Sequence, residues 1–162
     1  MKLLVVIHES IVNLETLLLY HQSPTYKASY HVVIARNGHV IHLVPANRKA
    51  YAAANSQYKN NQGIIEQING SVDDFAYHIV LESPPEGLDE TLCKHSGYTQ
   101  SQYKSLGWLI SQTGVDIDRV VTHEEVKLTK SEVKEPRSFN KSALLNLIKK
   151  NEKVKIDFGI LK

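Results

Sequence analysis

Cysteine and methionine each occur once in this chain of 162 residues, neither sign of charge dominates, and no long apolar run is present. The single Cys93 has no intrachain partner and cannot supply a Cys-rich zinc cage, so any metal centre must rely on imidazole and carboxylate. A reducing compartment is compatible with that cysteine count. Nineteen Lys and Arg against seventeen Asp and Glu leave +2, too balanced for a protein that holds nucleic acid by counterion release. The apolar stretch Leu3 to Ile7 is ended at once by His8 and Glu9, short of a signal peptide's apolar region and of the roughly 20 residues that span a bilayer. A cytoplasmic protein with no membrane span is expected. What the chain does have is histidine, eight in all, in a length suited to one domain over 1–162 with its own core. A monomer is expected.

The run Leu3 to Ile7 reads as a central strand buried on both faces. Leu14, Leu17, Leu18 and His21 then recur at helical spacing, predicting a helix over about 12–22 that ends before Pro24. Tyr30 to Ala35 and His39 to Val44 flank Arg36-Asn37-Gly38 as a β-hairpin, with Asn-Gly supplying positive φ angles. Residues 46–73 are polar and form a long connection, of the kind that lines sites rather than building cores. Phe75 to Glu82 reads as a strand stopped by Pro84-Pro85. Thr99 to Gln102 has the form of a capping box, and Tyr103, Leu106, Leu109 and Ile110 continue a helix that Gly114 closes. Val120 to Thr122 is a short strand, followed by a polar loop to Asn140, which caps a last helix over about 141–150 with a short tail after it. Strands alternating with helices, plus one hairpin, predict an α/β fold with a mixed sheet flanked by helices.

Two histidines stand at strand ends. His8 follows the first strand and His123 follows Val120 to Thr122, and ligands of open α/β sheets bind beyond the carboxyl ends of strands. This pair is the leading candidate for a metal site, although a histidine in such a place is more often an ordinary hydrogen-bonded residue. His39 and His42, three apart on a strand, point to opposite faces. His21, His31 and His78 read as partly buried, hydrogen-bonded residues. His95 lies two residues from Cys93, but nothing supplies a third group to orient a thiol–imidazole pair.

Several segments, in order, resemble the type 2 N-acetylmuramoyl-L-alanine amidases. They are Val6-Ile7-His8-Glu9-Ser10, Ala28 to Gly38, Val44-Pro45 with Arg48-Lys49-Ala50-Tyr51, Thr122-His123, and Lys134-Glu135-Pro136-Arg137-Ser138-Phe139. The family includes phage amidase-type lysozymes, muropeptide-recycling amidases and peptidoglycan recognition proteins. The resemblance spans roughly residues 4 to 140. It implies a zinc enzyme that cleaves the amide between N-acetylmuramic acid and L-alanine in peptidoglycan or muropeptides. His8 and His123 match the first two ligands. The third is usually Asp or Cys, and the matching position holds Glu135, one methylene longer than Asp, so its loop must give by about 1 to 1.5 Å.

The same resemblance gives Tyr30 the place of a catalytic tyrosine that steadies an oxyanion; a packed hairpin aromatic is the other reading. The family's Lys two residues before the third ligand is replaced by Val133, with Lys134 displaced by one and a candidate for its role. Glu82, at a strand end, is either a general base or a capping carboxylate, the second being favoured. The family's aromatic-His pair is missing, since Tyr51 is followed by Ala52. A cytoplasmic recycling role and phage-type release both stay open. These departures keep a second reading in view, a non-catalytic peptidoglycan-binding module on the same fold. A regulatory scaffold, a third reading, has no positive sequence support.

Overall fold

Leu4 to Ser10 are all buried, and a strand with no exposed side chain must be covered on both faces. The computed structural model describes residues 1–129 and 134–157. In it this strand, β1 (Leu4–Ser10), lies inside a five-stranded sheet. Its partners are β6 (Ala76–Glu82) on one side and β7 (Val120–Thr122) on the other, both parallel. Beyond β6 come β2 (Val32–Ile34), parallel to it, and the antiparallel edge strand β3 (Val40–His42). The result is the α/β fold with a mixed sheet that the sequence predicts.

The strand runs three residues further than the aliphatic run alone suggests. β6 pairs along the whole of β1, with Ser10 opposite Glu82, so His8 lies within the strand rather than just after it. The hairpin turn holds as expected, but only Gly38 takes a positive φ, +88°. Asn37 contributes instead through its side chain, whose Oδ1 accepts the His39 N–H at 3.0 Å.

One face of the sheet is covered by α2 (Gln100–Thr113) and α4 (Lys141–Asp157). Leu106, Ile110, Leu144 and Ile148 pack there on Val5, Ile7, Ile79 and Leu81, and each such side chain contributes roughly 1.5–3 kcal/mol by burial. The capping box of α2 forms between Thr99 and Gln102, and Gly114 ends the helix in the left-handed region. Gln102 also donates from Nε2 to the carbonyls of Ile34 and Glu82, locking α2 to the sheet. Asn140 caps α4 by accepting the Ala143 N–H. This last helix extends to Asp157, past the expected end near 150, and residues 158–162 lie outside the described residues.

The opposite face is thinner. Leu17 of α1 (Leu14–Gln22) covers Val33 and Val80. Ala53, Tyr58 and Val72, from the connection between β3 and β6, cover Leu4, Val6 and Val121. That connection therefore does build core, contrary to the expectation from its polar composition, because Ala53, Tyr58 and Val72 turn inward while Ile64, Ile65 and Ile68 stay exposed. It also carries a two-stranded ribbon, β4 (Tyr58–Lys59) with β5 (Ile65–Glu66). The segment read as a polar loop after β7 begins with a short helix, α3 (His123–Val126). No described helix is long and apolar enough to cross a membrane.

Candidate metal centre

Side chains alternate along a strand, so His8 shares its face with Leu4 and Val6 and emerges where the α1 side of the sheet opens. β7 lies beside β1 and delivers His123 at the first turn of α3. The loop after the undescribed residues brings Glu135 back to the same place, where Glu124 donates its backbone N–H to the Glu135 carbonyl. One ligand atom each of His8, His123 and Glu135 lie within 4.8 Å of one another, a group unique of its kind among the described residues. Glu135 reaches despite its unusual identity: its Oε2 accepts from His123 Nδ1 at 2.9 Å. Two imidazoles and a carboxylate, converging from three separate segments, form a donor set that suits zinc with a fourth position open. The residues fit the ion.

Tyr30 stands beside this group, its ring 5.3 Å from that of His8 and edge-on to it. His21, at the end of α1, holds the Tyr30 backbone by accepting its N–H at Nε2, 3.0 Å away. Burial, then the Glu135 carboxylate and Tyr26, push the Tyr30 hydroxyl far above its ordinary pKa. It stays protonated and is a hydrogen-bond donor at any working pH. A pocket of about 360 Å³ opens here, lined by Tyr30, Glu135, Tyr26, Lys127 and Arg137 among others.

Behind the centre lies a file of buried imidazoles. His8 Nε2 is 2.9 Å from His78 Nδ1. His78 is fully buried on β6, and its Nε2 lies 3.1 Å from Asp73 Oδ1 in a bent contact short of a well-aligned hydrogen bond. The His78 backbone N–H donates to His31 Nδ1, which leaves the proton of His31 on Nε2, donated to the Arg48 carbonyl. Burial, with the neighbouring His78 and His123 rings, holds His8 well below the ordinary imidazole pKa. Burial also lowers His78, outweighing the opposing pull of Asp73. In Asp73, burial alone would raise the pKa, but the nearby His78 imidazole and hydrogen bonds from the Ala53 and Ala52 N–H groups outweigh it and the carboxylate ends low.

A second buried network adjoins the first. The Arg137 guanidinium donates to Glu9 Oε1 at 2.8 Å and to the carbonyls of Asp89, Leu92 and Gly87. Glu9 also accepts from His95 and the Tyr98 hydroxyl. His95 is thus bound to a carboxylate, while Cys93 is exposed.

The structure therefore brings together His8, His123, Glu135 and Tyr30. Among the described contacts, neither Glu82 nor Lys134 is joined to them. Glu82 Oε2 accepts the Arg36 N–H at 2.7 Å, capping the β2–β3 turn, and Lys134 is exposed; neither lines the pocket. Val133 lies outside the described residues. Sequence reasoning passed over Asp73, Glu9 and Lys127, and took His78 for an ordinary buried histidine. The signal for His78 was its parity with Val80 on the face that also carries His8.

Residues 3–137 match the protein family described as N-acetylmuramoyl-L-alanine amidase. No curated protein sequence matches significantly. Among solved structures, AmpD is similar over 91% of this chain and 84% of its own, with 22% identity and a TM-score of 0.62. AmpDh3 from Pseudomonas aeruginosa, in complex with anhydromuramic pentapeptide, matches over 90% of this chain and 59% of its own, at 17% identity and TM-score 0.68. AmiD from E. coli, in complex with the substrate anhydro-N-acetylmuramic acid-L-Ala-D-gamma-Glu-L-Lys, matches over 77% of this chain and 49% of its own, at 19% identity and TM-score 0.57. The chain thus spans about half to three-fifths of the last two proteins, and at these identities the likeness concerns the fold.

Proposed function

The chain belongs to the N-acetylmuramoyl-L-alanine amidase family, and on that premise we propose that it is a zinc-dependent hydrolase. Its substrate is the amide between the lactyl group of N-acetylmuramic acid and the L-alanine of the stem peptide. The observation that carries this reading is the convergence of His8, His123 and Glu135 within 4.8 Å beside a pocket that Tyr30 and Glu135 both line. Bound zinc supplies Lewis acidity, polarising the amide carbonyl and activating water for attack.

The chain's own residues supply the rest. The pocket holds the stem peptide against Tyr26 and Tyr30, and the protonated Tyr30 hydroxyl donates to the carbonyl oxygen as charge develops there. His21 fixes the backbone from which that donor projects. Lys127, on the same wall, is paired with Glu124 at 2.6 Å. Glu82 and Lys134 take no step in this reading. Since AmpDh3 and AmiD were each determined with an anhydromuramyl peptide, a soluble anhydro-muropeptide is the first substrate to try.

Zinc quantification and stem-peptide release, measured on wild type and Glu135→Ala, test the proposal. One zinc per chain with release in the wild type, and loss of both in the variant, is expected. A wild type with no stoichiometric zinc and no release overturns the proposal. Muropeptide binding without cleavage by the zinc-loaded wild type would make the chain a binding module instead.

A further inference from the structure

We propose that Asp73 and His78 are a positioning pair that sets the tautomer of His8, holding its proton on Nε2 and leaving the Nδ1 lone pair for the metal. The inference rests on the zinc reading of the His8 site and adds residues that the three ligands do not include.

Hydrogen-bond direction carries it. An ionised carboxylate only accepts, and Asp73 Oδ1 is already fixed by the backbone N–H groups of Ala53, at 2.9 Å, and Ala52, at 3.4 Å. The atom of His78 that faces this oxygen at 3.1 Å must therefore be an N–H, because a lone pair there would meet a buried negative charge. A neutral imidazole with its proton on Nε2 has a lone pair on Nδ1. Across the 2.9 Å between His78 Nδ1 and His8 Nε2, one proton must lie, and it can only be that of His8. The remaining nitrogen of His8 is then a bare acceptor.

The fold builds this line deliberately. Val6 is opposite His78 in the β1–β6 register, so His8, two residues on and on the same face, reaches back over one strand spacing. His31 stacks nearly parallel to His78, 11° between planes and 5.9 Å between centroids, and the His78 N–H fixes His31 in turn. An apolar side chain would fill the site of His78 with less desolvation cost. A buried carboxylate and imidazole directed at one ligand give that polarity a use, since the partner of a metal-bound histidine fixes its tautomer and ring orientation.

The test uses the metal-free full chain with 15N-labelled histidine, long-range 1H–15N NMR to read each tautomer, and zinc affinity by chelator competition. The wild type should show Nε2–H on both His8 and His78. His78→Phe removes the acceptor and should lower zinc affinity about 10- to 100-fold. His78→Asn places an acceptor oxygen near the old Nδ1 and should recover most of it. Thermal melting of each metal-free variant shows whether the fold survives. An Nδ1–H tautomer of His8 in the wild type, or a folded His78→Phe variant with unchanged zinc affinity, overturns the proposal. So does an equal loss in the Phe and Asn variants that follows their loss of thermal stability, which would make His78 merely structural. Failure of the hydrolase reading looks different: both Nε2–H tautomers in place and zinc bound, yet no stem peptide released.

Discussion

Arg137 and Glu9 meet at 2.8 Å with 1% and 2% of their side chains exposed. Glu9 follows His8 directly, and Arg137 stands two residues after Glu135. This buried ion pair therefore clamps the strand end that carries the first candidate ligand to the loop that carries the third.

Breaking the clamp should cost both stability and metal affinity. Arg137→Met leaves Glu9 charged and buried, a defect worth about 3–5 kcal/mol, measurable by urea denaturation. Adding Glu9→Gln should restore part of that loss. A single variant as stable as the wild type would show that the pair is not the clamp described.

Removing the Tyr30 hydroxyl addresses chemistry alone. Tyr30→Phe should lower kcat about 10²- to 10³-fold, with KM little changed and zinc content intact. Unaltered kcat would assign oxyanion stabilisation to another group.

Acid should destabilise the metal-free protein in a defined window. His8, His78 and His31 all have folded pKa values below 6.5, chiefly through burial. Between those values and 6.5 the unfolded chain binds more protons than the folded one, so stability falls as pH falls. The slope below pH 6.5 should be on the order of 1–3 kcal/mol per pH unit, and denaturant titrations at several pH values give it directly. A flat profile between pH 7.5 and 5 would contradict the burial of these rings as neutral groups.

Gly38 offers a test of the fold remote from the metal centre. Its φ of +88° is strained for any L side chain, and a Cβ there would lie 2.9 Å from the Ser101 carbonyl oxygen of α2. Gly38→Ala should therefore destabilise by more than about 1 kcal/mol while zinc affinity stays unchanged, as thermal melts and zinc titration would report.

The elements that were legible in the sequence are those specified by short-range signals. The β2–β3 hairpin, the Thr99 capping box and the Gly114 stop all depend on residues within a few positions of one another. The full length of β1 was not legible, because His8, Glu9 and Ser10 read as the polar end of a strand. They stay in the sheet because β6 pairs with them and Arg137, far along the chain, neutralises Glu9. The last turns of α4 and the turn of α3 likewise lack an apolar period strong enough to reveal them.

At the candidate site, His8 and His123 stood out by their places at strand ends, whereas Glu135 and Tyr30 were picked out by family resemblance, which compresses long-range geometry into an ordered string. Asp73 and His78 carry no such mark. Strand parity puts His78 on one face of its strand, but the β1–β6 register that aims it at His8 is encoded by no composition or spacing pattern. Glu82 was open to two readings, general base or capping carboxylate, and the backbone of Arg36 claims it as the favoured second reading has it.

The sheet order also sets a timetable. β1 lies between β6 and β7, so during synthesis one of its edges waits for Val120 to emerge, and the three donors cannot converge before Glu135 has been made. A nascent chain holds His8 with neither of its companions until His123 has emerged, and closing so long a loop adds only slowly to the entropic cost. Assembly of the three-donor centre thus waits on the docking of β7 and on the arrival of Glu135.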